Sequence, residues 1–222
     1  MVKINDKNVI IDFGQSFNEQ LRENRIRQID YAFLTHAHDD HSAEFSLFST
    51  AKNCTLAAPA DVWKELGQSR LDWLARKNKN ILVKDFEPMT IDGVQVDTIK
   101  LLHQKNYKRQ GDPDPCYGYL FKDKNFSFAY CSDYNEILEP NKMEGLDLII
   151  SDGNGWENDG KGHLGISGSI EVFNQFKPKK MILTHIPCRG ETETPIEHSK
   201  LVKFLKPYGH IMPAYDGMEV DC

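Results

Sequence analysis

Tyr31-Ala32-Phe33-Leu34-Thr35-His36-Ala37-His38-Asp39-Asp40-His41 runs from a short, β-prone apolar segment straight into three histidines and two aspartates. A buried strand that ends in this way delivers polar side chains to a site at its carboxyl end. In extended backbone, residues two apart point the same way, so His36 and His38 can both present an imidazole nitrogen to one cation. The turn that follows aims Asp40 and His41 at a second. Neutral imidazole with carboxylate suits Zn²⁺, Mn²⁺ or Fe²⁺, and nothing here requires soft thiolate ligands. With the chain's own His and Asp frequencies, the four-residue pattern arises by chance in roughly one such chain in a thousand. That outweighs the blander reading, in which the histidines collect by chance or cap a helix expected over residues 42–48.

Working outward, composition sets the limits. The 222 residues, 40% hydrophobic and 27% charged, describe a globular chain able to bury a core, as one domain or a tightly joined pair. The expected domain is 1–222 entire. The opening Met1-Val2-Lys3-Ile4-Asn5-Asp6 has no apolar signal region and no apolar run reaches the ~18 residues of a membrane span, so a cytoplasmic location is expected. Cys54, Cys116, Cys131, Cys188 and Cys222 are odd in number and lack Cys-x-x-Cys spacing, which points to free thiols. A net charge of −6 disfavours indiscriminate binding to nucleic acid or anionic membrane. Local charge differs: Lys100, Lys105, Lys108 and Arg109 surround His103, and Lys105, Lys108 and Arg109 are candidates to hold an anionic group beside a metal.

Before the histidine loop, residues 8–13 form a β-type run closed by Gly14, and a helix is expected from Ser16 as N-cap, with Glu19 completing a capping box. After it come a strand at 55–58, helices at 59–66 and 70–77, and a strand at 81–83. The middle changes character. Residues 94–102, 117–122 and 125–130 are β-branched and aromatic, with a turn-forming segment at 110–115, and read as antiparallel sheet. Strand and helix then alternate: 146–151, 167–176, 181–184, 195–205 and 210–214. The pattern fits an α+β fold of two sheets packed face to face with helices outside, a four-layer αββα sandwich.

Three further metal-competent residues fall at expected strand ends, where sheet-based folds collect their sites: His103 after 94–102, Asp133 after 126–132 and His185 after 181–184. His163 lies in a glycine-rich stretch, 153–168, flexible enough to bring a side chain over a cleft. Hydrolysis that expels an alkoxide needs a proton for the leaving oxygen, and imidazole has the unperturbed pKa best suited to supply it. His198 and His210 match no pattern and are assigned to structure.

Together, residues 11–41, His103 shortly before Tyr117-Gly118-Tyr119-Leu120, Tyr130-Cys131-Ser132-Asp133, Leu183-Thr184-His185 and Ala214-Tyr215-Asp216-Gly217-Met218-Glu219 resemble the metallo-β-lactamase superfamily over nearly the whole chain. The resemblance is strongest to its phosphodiesterase branch, which includes cyclic ribosyl-phosphate phosphodiesterases of phosphonate breakdown and tRNA 3′-processing ribonucleases. It implies two divalent cations, zinc or manganese with iron as a further candidate. His36, His38 and His103 would hold one, Asp40, His41 and His185 the other, with Asp133 bridging. A water or hydroxide between the cations would attack phosphorus. His163, Asp133 and Asp40 are then the catalytic candidates, and Asp12 and Asp216 would orient the ligands from behind.

The chain also departs from that family. Members commonly open with a strand and a Leu-Gly-Thr-Gly type loop, whereas this chain starts at what would be the second strand, so one sheet edge is expected to be shortened or covered by a partner. No cysteine precedes Cys54, the long tRNA-gripping insertion has no room, and Pro187-Cys188-Arg189 replaces the usual Ser-His after His185. The expected activity is hydrolysis of a small or cyclic phosphate ester, with a homodimer among the expected assemblies and nucleic acid not favoured. A thioester or lactone hydrolase on the same metals ranks lower, because the Pro-Gly-His type turn of those relatives is absent around His103. A metal-binding subunit or regulator without catalysis is the third reading.

Overall fold

The run at residues 31–33 sits at the centre of the first of two sheets, and the chain divides into two compact units, Met1–Val94 and Gln95–Cys222, with β6 of the second sheet (Met89–Ile91) belonging to the first unit. These units are seen in a computed structural model that describes residues 1–105, 113–158, 162–187 and 195–221, with Gln104 and Lys105 described by backbone alone. In the first unit, β1 (Val2–Ile4) and β2 (Lys7–Ile11) form an antiparallel hairpin. β3 (Tyr31–Phe33), β4 (Thr55–Ala58) and β5 (Leu82–Asp85) then add in parallel, giving the order β1-β2-β3-β4-β5. The edge expected to be shortened or covered by a partner carries a strand of three residues, β1. Asn5 and Asp6 make a two-residue turn, Asn5 taking the left-handed φ of 49° that such hairpins need, and Ile4 is buried.

Helix α1 (Phe17–Glu23) follows Ser16 as expected, but the capping box does not form. Ser16 has φ 66°, not the extended backbone that aims an N-cap oxygen at the helix, and its side chain makes no cap hydrogen bond. The helix expected over 42–48 is split: α2 (Asp39–Ser42) gives way to a 3₁₀ segment, Ala43–Ser49, with a break at Glu44. α3 (Ala60–Leu66) and α4 (Gln68–Lys77) match expectation within two residues. Val9, Phe33, Leu34, Leu56 and Leu74 are completely buried. Phe13, Phe17, Phe45 and Phe48 form an aromatic group, Phe13 meeting Phe48 edge-on with ring centres 4.8 Å apart. Each such buried ring contributes roughly 1.5–3 kcal/mol, and this group lies on the two segments that flank the histidine loop.

After β6 (Met89–Ile91), the turn Asp92-Gly93 leads into the long strand β7 (Val94–Lys105). The second unit's sheet continues with β8 (Pro113–Lys122), β9 (Ser127–Tyr130), β10 (Glu136–Ile137), β11 (Leu148–Asp152), β12 (Lys180–Thr184) and β13 (Ile211–Pro213). The order is β10-β7-β8-β9-β11-β12-β13, antiparallel as far as β9 and parallel from β9 onward. Helices α5 (Gly165–Phe176) and α6 (His198–Leu205) belong to this unit, whose core includes Tyr134, Met143, Ile149, Ile166, Leu183 and Leu201.

Two boundaries differ from expectation. Residues 113–115, assigned to a turn, pair as strand, and β7 continues past Leu102 to Lys105. His103 thus lies inside a strand, where the register shifts between Leu102 and Lys105 opposite Pro115 and Pro113. Proline cannot donate to the ladder, and a bulge of this kind re-aims the side chain it carries.

Candidate metal centre

The first unit supplies one set of candidate ligands. β2 and β3 are parallel neighbours paired through Ile11 and Phe33, so Asp12 and residues 34–36 emerge together at the carboxyl ends. Asp12, at φ 61°, accepts hydrogen bonds from the Thr35 backbone N–H at 2.8 Å and the Thr35 hydroxyl at 2.9 Å, and its Oδ2 lies 2.8 Å from His41 Nδ1. With the Thr35 proton directed at Asp12, the hydroxyl accepts from His36 Nδ1 at 2.9 Å. His36 and His41 therefore both carry their proton on Nδ1, which makes Nε2 the ligating nitrogen. Their rings lie 4.1 Å apart, and that of His38 lies 4.6 Å from His36. His36 and His41 are buried, His38 is half-buried and Asp40 is exposed. The loop is pinned from behind: Phe13 N–H donates to the His41 carbonyl at 2.8 Å, Glu44 N–H donates to that of Phe13 at 3.0 Å, and Gly14 lies against the carbonyl of Asp40. A side-chain carbon at Gly14 would overlap that oxygen.

The second unit supplies the other set. β9, β11 and β12 are adjacent and parallel, with Tyr130 paired to Ile150 and Asp152 to Thr184, so Asp133, Asp152 and His185 gather at three neighbouring strand ends. Asp133, Asp152, His163 and His185 each offer a ligand atom within 4.8 Å of the others. Asp133 and His185 both hold left-handed backbone at φ 55°, a sparsely populated conformation that clusters at functional sites. His163 Nδ1 donates to Asp152 Oδ2 at 2.9 Å, and His185 Nδ1 lies 3.0 Å from Asp133 Oδ1 and 3.8 Å from Asp152 Oδ1. His103 Nδ1 donates to the Gly162 carbonyl at 2.9 Å, which sets its tautomer as in His36 and His41, and its ring lies 5.5 Å from that of His163.

Electrostatics follows from this crowding. Burial pushes the Asp152 carboxyl up, but hydrogen bonds from His163 and His185 outweigh it and hold the group below the usual carboxylate range. Burial likewise pushes the imidazoliums of His163 and His185 down. The Asp152 carboxylate reverses this for His163, and the Asp133 and Asp152 carboxylates carry His185 up to about 10. The pocket thus favours positive charge.

These donors fit divalent cations of the zinc or manganese type. All are imidazoles or carboxylates, and three of the histidines have Nδ1 committed to a carbonyl, a hydroxyl or a carboxylate, the arrangement by which metal-binding histidines are oriented. Of the residues expected to orient ligands, Asp12 lies 2.8 Å from His41 Nδ1, while Asp216 sits exposed in a turn. Lys108 and Arg109 lie outside the described residues, as does the side chain of Lys105. His210 stacks on Phe173 with ring centres 6.5 Å apart, in keeping with its structural assignment.

Sequence reasoning missed Asp152, although the strand-end logic that picked out Asp133 and His185 applies equally to it. It also missed the buried hydroxyls behind it. Tyr134 Oη lies 2.7 Å from Ser151 Oγ, which lies 2.8 Å from Ser169 Oγ, and Ser169 donates to the Asp152 carbonyl at 2.6 Å. Hydroxyls scattered over residues 134–169 leave no spacing signal.

Comparison with known proteins places this arrangement. No curated protein matches the chain. Among solved structures, a diphosphatase from the PhnP family is 20% identical, with a TM-score of 0.78 over 98% of this chain and 80% of its own. Zn²⁺-bound PqqB from Methylobacterium extorquens is 14% identical, with a TM-score of 0.80 over 100% and 86%. The short form of human tRNase Z is 15% identical, with a TM-score of 0.68 over 99% and 90%. These likenesses establish the expected fold. The model of the β-lactamase superfamily domain matches residues 7–186, which takes in β2 through β12, and on that match the chain belongs to the metallo-β-lactamase superfamily.

Proposed function

We propose that the protein is a metal-dependent phosphodiesterase that hydrolyses a small or cyclic phosphate ester. The observation that carries this reading is the hydrogen bond from His163 Nδ1 to the buried Asp152 carboxylate, within the group that also holds Asp133 and His185. An imidazole fixed in this way keeps its other nitrogen for a proton that must reach a departing alkoxide, a demand weaker in thioester hydrolysis, where the leaving thiolate is stable. The family match and the likeness to a diphosphatase support the same direction.

In this reading His36, His38 and His103 would hold one cation and Asp40, His41 and His185 a second, with Asp133 as a ligand the two would share. The cations supply Lewis acidity toward a phosphoryl oxygen and toward the attacking water. The remaining work belongs to the chain. Asp12 and Thr35 hold His41 and His36 in the tautomer that directs Nε2 inward. The bulge at His103 and the Gly162 carbonyl do the same for that ring. Asp152 keeps His163 protonated and aimed, and His163 gives its Nε2 proton to the leaving oxygen. Lys105, Lys108 and Arg109 are proposed to attract the anionic ester. The protein is proposed to act in the cytoplasm, on a small molecule and as a homodimer.

The test is steady-state hydrolysis by protein reconstituted separately with Zn²⁺ and Mn²⁺, on cyclic and linear phosphodiesters, a thioester and a lactone. Preferential cleavage of a phosphodiester is expected. Turnover of the thioester or lactone alone would assign the other reaction class, and a metal-loaded protein inert on the whole panel would leave a binding role.

A further inference from the structure

Three buried hydroxyls lie behind the hydrogen bond between Asp152 and His163, and their contacts fix where each proton goes. Ser151, in β11, and Ser169, in α5, are 0% exposed, as is Tyr134, one residue past Asp133. Ser169 Oγ lies 2.6 Å from the Asp152 carbonyl, which can only accept, so the Ser169 proton points there. Ser151 Oγ lies 2.8 Å from Ser169 Oγ, whose own proton is already used, so Ser151 donates to Ser169. Tyr134 Oη lies 2.7 Å from Ser151 Oγ and by the same step donates to it. The protons run in one direction, from Tyr134 through Ser151 and Ser169 to the carbonyl of Asp152.

That carbonyl is the third fixed point on Asp152. Its Oδ1 accepts from Asn154 N–H at 2.8 Å, and its Oδ2 accepts from His163 Nδ1 at 2.9 Å. β11 ends at Asp152, and α5 begins two residues after His163. Ser169 therefore ties the strand end that bears the acceptor to the helix that follows the donor. Such hydroxyls are not needed to fill a core. Replacing both partners of a buried hydrogen bond by apolar groups of the same shape is nearly neutral for stability, whereas a fully satisfied network rigidifies one arrangement.

We propose that Tyr134, Ser151 and Ser169 are positioning residues, a one-way chain of hydroxyls that sets the place of Asp152 and through it the aim of His163. Their effect on turnover rests on the phosphodiesterase reading, and their effect on the bond between Asp152 and His163 does not. The proton order also grades the three. Loss of the Ser169 hydroxyl removes the donor to the carbonyl. Loss of the Ser151 hydroxyl leaves that bond but removes the one that supports it, and loss of the Tyr134 hydroxyl leaves both serine bonds in place.

The test follows the His163 Nδ1 proton by proton NMR in the full chain loaded with Zn²⁺, the resonance being assigned by its loss in His163→Ala. Ser169→Ala is expected to speed its exchange with water about fivefold or more, the change in open population that one ordinary hydrogen bond supports. Ser151→Ala should have a smaller effect and Tyr134→Phe the smallest. Val172→Ala thins the packing of the same helix with the hydroxyls in place, and is expected to leave the exchange rate unchanged. Ser169→Cys, close in shape with a weaker donor, should fall between Ser169→Ala and the unaltered protein, and it carries the comparison if Ser169→Ala does not fold. Lack of a slowly exchanging Nδ1 proton in the unaltered protein, an unchanged rate in the Ser169 variants, an equal rise in Val172→Ala, or the largest effect in Tyr134→Phe would each overturn the proposal. On a substrate that the hydrolysis panel identifies, Ser169→Ala should lower kcat about tenfold at unchanged KM and metal content, as small misplacements of a catalytic group do; an unaltered kcat would overturn the positioning role. Failure of the panel alongside graded exchange would reject the reaction and keep the hydroxyl chain. Phosphodiester turnover without graded exchange would do the reverse.

Discussion

His163 and Asp152 are eleven residues apart in sequence and joined by one hydrogen bond, so their roles can be separated by substitution. His163→Ala is expected to lower kcat by ~10² or more while metal content holds, because the proton donor is lost and the other donors stay. Unimpaired turnover would remove the assignment. Asp152→Asn keeps the shape of the acceptor but loses the charge that keeps His163 protonated, and a comparable fall in kcat is expected. The double variant should then be no slower than His163→Ala, since residues acting as one unit are strongly non-additive. Losses that multiply would show that Asp152 acts independently. At this scale the sequence was readable wherever candidate ligands stand close together or follow apolar runs, as with His36, His38, Asp40 and His41. Asp152 was hidden by the glycine-rich stretch that begins immediately after it, which drew the eye to flexibility and away from a strand end. Asp216 was legible as a motif residue and lies in an exposed turn.

Among elements, the junctions between strand ends and loops carry the sharpest constraints. Gly14→Ala would drive a methyl into the Asp40 carbonyl, so the loop at 36–41 must shift. A loss of about 1–3 kcal/mol is expected, as for overpacking elsewhere, together with reduced metal content, read by thermal melting and metal analysis. An unchanged melting temperature with full metal would contradict the close approach. Asp147 ties three strands together from one turn. Its carboxylate accepts from Ser127 N–H at 2.7 Å and pairs with Lys179 at 2.6 Å, and its carbonyl accepts from Lys180 N–H at 2.9 Å. The Lys179 ammonium, aided by Ser127, holds its carboxyl below the usual carboxylate value. Stability from such a depressed pKa is complete above the unfolded value near ~3.9 and is lost as pH falls through the folded value. Asp147→Asn should therefore cost on the order of 1 kcal/mol near neutrality and converge with the unaltered protein in acid unfolding once pH has fallen through the lowered pKa of the folded carboxyl. Most elements were foreseeable from periodicity because their apolar spacing is regular. β1, β6 and β10 were not, being too short to show a period, and the strand pairing of Pro113 and Pro115 overrides what proline implies in isolation.

For the whole molecule, the fold class was legible because strand and helix patterns alternate at both ends of the sequence around an antiparallel middle, and residues 7–186 match the superfamily accordingly. Substrate identity was less legible, since no linear spacing shows which surface residues, such as Trp156 and Phe204, the folded chain brings together. The change from antiparallel to parallel pairing at β9 has a further bearing on how the chain reaches its native state. The antiparallel strands β7, β8 and β9 join near neighbours in sequence, whereas β11 and β12, paired through Ile149 and Met181, must first close a much longer loop. Local pairings form early and distant ones late. Amide protection in pulse-labelled refolding should thus appear in β7–β9 before β11 and β12, and simultaneous protection would refute this order. Asp133, Asp152 and His185 then converge only near the end of folding, so a cation has no completed cradle to enter until the sheet is almost whole.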